Sequence, residues 1–447
     1  MTDPVFAHRI QFAMTVMFHY LFPILTMGLG FFIAVYSILY LRTGDRRYRN
    51  AARFWAKVFA VNFALGVVTG IPLEFEFGTN WSRFSSYGGG VFGQTLPMEG
   101  VYAFFLESGF LGLFLFGEGR VSRTVHCLAG IGVSLGSLLS GYFIVATDAW
   151  MQHPVGYAID ANGALRLTSF WQVLLNPYAG WQYAHTINGA LLTAAFFIGG
   201  VGAFYLLGGR HLEFARLAVK TAVIAGTILA ITQASPTGDS NSRKIAHYQP
   251  VKLASMEGLF ETRAGAPIAI VGMPDTEAAE LIDPVYVPDA LSLLAYGSAR
   301  ASVDGLTSYP KELWPPVELT YYTYHIMVGL GTLFILQMLV GLLLLWRRQL
   351  FTSRWFLWTL MFAVPFTYIA NEAGWMAAEV GRQPWVVYGL LRTAQGTSPN
   401  VPAAETLFTT LGFAGIYALL ALLFLLLVGR VILKGPEEGM NPQIAQI

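Results

Sequence analysis

Apolar runs of membrane length recur along nearly the whole chain, near 11–41, 55–77, 95–117, 124–149, 182–208, 216–235, 319–346, 355–379 and 404–433. A helix crosses the hydrocarbon core with about 20 mostly apolar residues. The pattern predicts an all-α integral membrane protein of about nine transmembrane helices in bundles, and an odd count puts the two ends on opposite sides. Cations sharpen this. Arg42, Arg46, Arg47, Arg49, Arg53 and Lys57 follow the first run, Arg120 and Arg123 the third, Arg210, Arg216 and Lys220 the fifth, Arg347, Arg348 and Arg354 the seventh, and Arg430 and Lys434 close the ninth. Lys and Arg collect in cytoplasmic loops. The loops at 78–94, 150–181, 236–318 and 380–403 therefore face outward with the N-terminus, and the C-terminus is cytoplasmic. The first run is too long for a signal-peptide core and has no basic segment before it, so it is expected to be retained as a span.

Composition agrees with lipid as the main solvent. Of 447 residues only 12% are charged and 55% are hydrophobic, whereas a soluble domain is about a quarter charged. The net charge of +1 gives no reason to expect a nucleic-acid partner. The single cysteine, Cys127, excludes an internal disulfide and any cysteine-built cluster, so a metal here needs His, Met or carboxylate ligands. The one long polar insertion, Ser235 to Glu318, is proline-rich and reads as an external ligand-handling loop. It divides the chain into 1–235 with six spans, the loop 236–318, and 319–447 with three. No internal repeat is visible, which weakens an inverted-repeat transporter reading.

Chemistry-bearing residues inside the spans are few. His19, His185 and His325 lie within apolar runs, while His8, His126, His153, His211 and His247 fall in loops or near span ends. His19 lies ten residues past Arg9, roughly 15 Å along a helix, where an idle polar group is costly; it is either bonded to a neighbouring helix or a heme or metal ligand. His185 and Met327 both belong to the outer third of the membrane, and His with Met is a familiar axial pair for low-spin heme, although a lone methionine is more often packing. His325, two residues from Met327, sits about 200° around the helix, so at most one of the two serves a given iron. Glu379 and Arg382 share a helical face with Asn371 and Glu372 nearby, a density that favours a cavity or cofactor over a lone ion pair. Glu99 and Glu107, eight residues apart, are offset by about 12 Å and about 80° and are candidates for one proton path. From these residues alone an ion-coupled transporter and a non-catalytic anchoring subunit remain alternatives to a heme protein.

The run Gly374-Trp375-Met376-Ala377-Ala378-Glu379-Val380-Gly381-Arg382-Gln383-Pro384-Trp385 resembles the signature of subunit I of cytochrome bd-type quinol oxidases. Blocks in the same order resemble that family too: Arg9-Ile10-Gln11-Phe12 before His19, Gly70 to Phe75 with Gly78-Thr79-Asn80-Trp81, Glu99-Gly100 through Ser108, Trp150-Met151-Gln152, Pro154-Val155-Gly156 and Met327 to Gly331. The resemblance covers essentially the whole chain.

What the resemblance implies is specific. His185 and Met327 hold a low-spin heme b, and His19 and Glu379 are proximal ligands of a high-spin heme b and a heme d, in an order that stays open. Arg9, Trp375 and Arg382 flank the hemes. Glu99 stands at the oxygen-reducing site and Glu107 deeper on a proton path from the cytoplasm. Lys252 and Glu257, within Gln249 to Gly258, match the quinol-oxidation motif, and the loop resembles the short-loop class. Quinol is expected to be oxidised at that loop and dioxygen reduced to water, in the bacterial cytoplasmic membrane, beside a second membrane subunit and with room for small single-helix accessory subunits. Two positions depart from the pattern: His325 where many members carry Arg, which keeps it a rival ligand, and Asp148 where Asn is common.

Overall fold

The computed structural model describes residues 3–437. Among them, eight helices are long and apolar enough to cross a membrane: α1 (Pro4–Thr43), α2 (Arg46–Thr79), α3 (Ser82–Phe116), α4 (Arg123–Gln152), α5 (Ala179–Leu207), α6 (Leu212–Tyr248), α8 (Val317–Trp346) and α11 (Ala403–Lys434). A short helix, α7 (Pro250–Glu257), lies in the polar insertion. The expected span over 355–379 is present as two pieces, α9 (Arg354–Phe362) and α10 (Val364–Val380), each shorter than a membrane crossing. Pro365 accounts for the break, because it has no N–H to give and its ring crowds the carbonyl four residues back.

Close backbone approach holds the bundle together. A Cβ on Gly28 of α1 would come within 2.4 Å of the Ala190 carbonyl oxygen on α5, and one on Gly136 of α4 within 2.8 Å of Glu107 Cα on α3. Small residues at such crossings replace the hydrophobic drive that lipid cannot supply. The cation-rich segments meet at one end of the bundle. Glu118, after α3, accepts from Arg49 and from Arg53, the latter at 2.9 Å, and Glu437, after α11, pairs with Arg53 at 3.1 Å and Lys57 at 2.7 Å. The start of α2 and the ends of α3 and α11 therefore share the face that the charge pattern assigns to the cytoplasm.

At the opposite end the polar insertion is folded rather than loose. Beyond a kink at Ser235, α6 runs on to Tyr248, so 236–248 is helical. α7 and an antiparallel hairpin of Ile268–Asp275 with Glu280–Val287 follow. Leu253, Met256, Leu291 and Val303 pack with Ala146, Ala149, Tyr178 and Ile245, which seats the insertion on α4, α5 and α6.

Candidate functional site

Where the insertion meets the bundle, a buried polar cluster forms from four separate segments. Asp148 and Gln152 are one turn apart on α4, and Glu379 and Arg382 one turn apart at the end of α10. Arg382 donates to Asp148 Oδ1 at 2.8 Å and to Glu379, while Gln182 at the start of α5 donates to Asp148. Gln152 sits at the centre. Its amide nitrogen donates to Glu379 Oε1 at 3.0 Å, and its Oε1 accepts from Lys252 Nζ at 3.2 Å and from Gln249 Nε2 at 2.9 Å. Buried charge is tolerable only when paired and hydrogen-bonded, and here two cations face two carboxylates. The stem of Lys252 slides past Gly381, where a Cβ would stand 2.9 Å from Lys252 Cγ.

Lys252 and Glu257 are not the solvated charges that a polar loop ordinarily carries: they are 2% and 4% exposed. Five residues apart on α7, they point about 140° apart. Lys252 faces α4 and α10, whereas Glu257 faces Tyr324 on α8 and has one oxygen, Oε2, without a partner. Burial pushes the Lys252 ammonium down to about 8, against the pull of Glu379, and pushes the Glu257 carboxyl up to about 7, against its bond with Tyr324.

The candidate iron ligands are held in their own ways. His19 Nδ1 lies 3.1 Å from Thr69 Oγ1 on α2, and its ring rests on Gly70, where a Cβ would stand 3.1 Å from Cε1. A partner on Nδ1 fixes the ring and leaves Nε2 to offer a lone pair. His185 Nδ1 lies 3.3 Å from Thr237 Oγ1, with the Gln233 amide nitrogen 3.3 Å from both ring nitrogens. The Met327 sulfur is bedded against Gly374 of α10, where a Cβ would come within 2.6 Å of it. α10 packs against both α5 and α8, which carry His185 and Met327. Trp375 packs against Tyr20 of α1 with ring centroids 5.6 Å apart and the planes tilted by 34°. Arg9 lies elsewhere, on a cleft of about 610 Å³ at the insertion end that it shares with Lys311, Trp314, Glu318, Gln383 and Arg392.

His325 has a backbone carbonyl at each ring nitrogen. Its Nδ1 lies 2.8 Å from the Tyr321 carbonyl and its Nε2 2.7 Å from the Ala269 carbonyl. Both nitrogens face acceptors, so the ring ties α8 to the hairpin.

The relative placement of Glu99 and Glu107 differs from what regular helix geometry gives. Residues Glu99–Phe104 form a π turn that begins two residues after Pro97. A π turn takes up one extra residue, so the pair is separated by the equivalent of seven α-helical residues and the offset shrinks from about 80° to about 20°. Both carboxylates thus reach one face of α4: Glu99 Oε1 accepts from Ser140 Oγ at 2.6 Å, and Glu107 accepts from Ser137, one turn away.

In the sequence Gln152 was named only within the block Trp150-Met151-Gln152, with no role of its own, and Gln182 was not singled out. The available signal was spacing, since Gln152 follows Asp148 by one turn at the end of an apolar run.

Fold and donors together define a multi-pass membrane protein with a buried, charge-balanced cluster at one end and His, Met and carboxylate donors beside it. The chain belongs to the cytochrome bd terminal oxidase subunit I family, whose model matches residues 7–436. It is 40% identical to cytochrome bd ubiquinol oxidase subunit 1 of Bacillus subtilis (strain 168), over 98% of this chain and 95% of that one. To cytochrome bd-II ubiquinol oxidase subunit 1 of Escherichia coli (strain K12) it is 33% identical, over 100% and 99%. The solved structure of the bd oxidase from Geobacillus thermodenitrificans superposes with a TM-score of 0.91 at 31% identity, over 97% of this chain and 99% of that one. Heme is the cofactor that the family implies, and the donor set fits it: two histidines, a thioether and a carboxylate, each seated by a glycine contact or a polar neighbour on another helix.

Proposed function

We propose that this chain is the heme-bearing subunit of a quinol:dioxygen oxidoreductase of the bacterial cytoplasmic membrane, working beside a second membrane subunit and carrying two hemes b and one heme d. His185 and Met327 would hold the low-spin heme b, and His19 and Glu379 the other two, with Trp375, Arg382 and, from the cleft at the insertion end, Arg9 around them. Heme, when bound, supplies one-electron carriage and a site for dioxygen. The regions 1–235 and 319–447 would supply ligands from both sides of the bundle, and 236–318 the quinol-handling loop.

The observation that carries this reading is the bond pair of Gln152, which joins Lys252 of the insertion to Glu379 of α10 through one side chain. Glu257 would accept a quinol hydroxyl proton and Lys252 would donate to the quinol oxygen. Groups near 7 and 8 exchange protons readily at neutral pH. These protons would leave on the outer side. Glu107 and Glu99, each held by one α4 serine, would pass protons inward from the cytoplasm for water formation. Uptake on one side and release on the other separates charge without pumping, and each charge moved is worth about 2.3 kcal/mol per 100 mV.

Quinol-driven oxygen uptake by the purified complex tests the assignment. Lys252→Ala and Glu257→Ala should each abolish most of it while heme content stays unchanged; full uptake in both variants would contradict the reading.

A further inference from the structure

One buried carboxyl has no place in the mechanism above. Glu76 of α2 is 1% exposed, no cation pairs with it among the described residues, and neither carboxylate oxygen has a hydrogen-bond partner. Thr15 faces it from α1 but donates its hydroxyl to the Gln11 and Phe12 carbonyls, at 3.1 and 3.0 Å. The ionisable group across from it is Tyr417 of α11, whose hydroxyl is buried and unpartnered as well. An unpaired carboxylate is so costly in an apolar interior that the group belongs there as a neutral acid, which carries a proton.

Beside Glu76, through Thr15, runs a stripe of buried polar side chains. His8, Gln11, Thr15 and His19 fall at spacings of three and four and so form one stripe of α1, and the first three are at most 2% exposed. α2 and α11 complete the seam. His8 Nδ1 lies 3.2 Å from Thr406 Oγ1, and Gln11 Oε1 accepts from Asn80 at 2.9 Å and Thr409 at 3.2 Å. Thr69 meets His19 at the inner end. From His8 to His19 the seam spans about 16 Å of helix and begins at the outer end of the bundle.

We propose that Glu76 is a proton-exchange residue that compensates charge at the His19 side, trading its proton with the outer face through Gln11 and His8. When one electron is passed from that side to dioxygen, Glu76 gives up one proton to the seam. When an electron from quinol replaces it, one proton returns by the same route, so this exchange moves no net charge across the membrane. The inference rests on His19 as a heme ligand.

The test uses the purified two-subunit complex, read by redox-difference infrared spectroscopy and by the pH dependence of the midpoint potential of the heme whose band His19→Ala removes. The wild type should show a protonated-carboxyl band that changes with redox state. Glu76→Gln should lose that band and flatten the potential-against-pH slope of this heme alone. If Glu76→Gln does not assemble, Glu76→Asp should displace the band. A band and slope unchanged in Glu76→Gln, or an undisplaced band in Glu76→Asp, overturns the proposal. Failure of the underlying ligand assignment looks different: His19→Ala would then leave every heme band in place.

Discussion

The cluster around Gln152 and the carboxylate pair on α3 both place charge-bearing side chains in apolar surroundings, yet they are held in opposite ways. Asp148, Gln152, Glu379, Arg382 and Lys252 are cross-bonded among three helices and the insertion, and each carboxylate meets more than one donor. Glu99 and Glu107 each meet a single serine hydroxyl. Cross-bonding fixes position, which suits a place where a ligand must be presented at one geometry. A hydroxyl can turn from donor to acceptor, which suits a place where a proton must come and go. The contrast predicts that stranding the two carboxylates of the first region removes what the protein holds, whereas changes in the second slow what it does.

The largest effect should come from Arg382→Ala, which strands two buried carboxylates. Breaking such a pair costs about 3–5 kcal/mol, so thermal unfolding of the purified complex should fall sharply and heme content with it. Glu107→Gln should behave differently, leaving the heme spectrum intact while lowering steady-state oxygen turnover by about 100-fold. A heme loss in Glu107→Gln would erase the distinction between the regions. Gln152→Ala should raise KM for quinol by about tenfold, equivalent to about 1.4 kcal/mol, because Lys252 loses its amide partner. The smallest effect is on pH. Acceptance of a quinol proton needs Glu257 ionised, so kcat/KM should rise through about 7, and donation by Lys252 is lost as pH climbs through about 8. Glu257→Asp should move the rising limb only.

Much of this arrangement was legible in the sequence, for reasons that differ by residue. The helices follow from apolar runs that lipid demands, and the cationic end from where Arg47, Arg53 and Lys57 fall. His19 and His185 stood out because histidines are rare in such runs, whereas Met327 was marked by its depth beside His185 and by the family resemblance. Residue counting assumes about 100° per residue, so the π turn after Pro97, which swings Glu99 and Glu107 onto one face, was invisible. The burial of Lys252 depends on Gln152, 100 residues away in the chain, and no local pattern encodes that. The tie between His325 and the hairpin was hidden for the same reason, since its Ala269 partner lies 56 residues earlier. Pro365 was in view, but an apolar run through it still read as one helix.

The central claim, that the donors at this end of the bundle hold heme, is tested most directly by a dithionite-reduced-minus-air-oxidised visible spectrum of the purified complex with pyridine hemochrome analysis. The account predicts a low-spin b band together with a red-shifted chlorin-type band. A folded complex with no visible absorbance would contradict it.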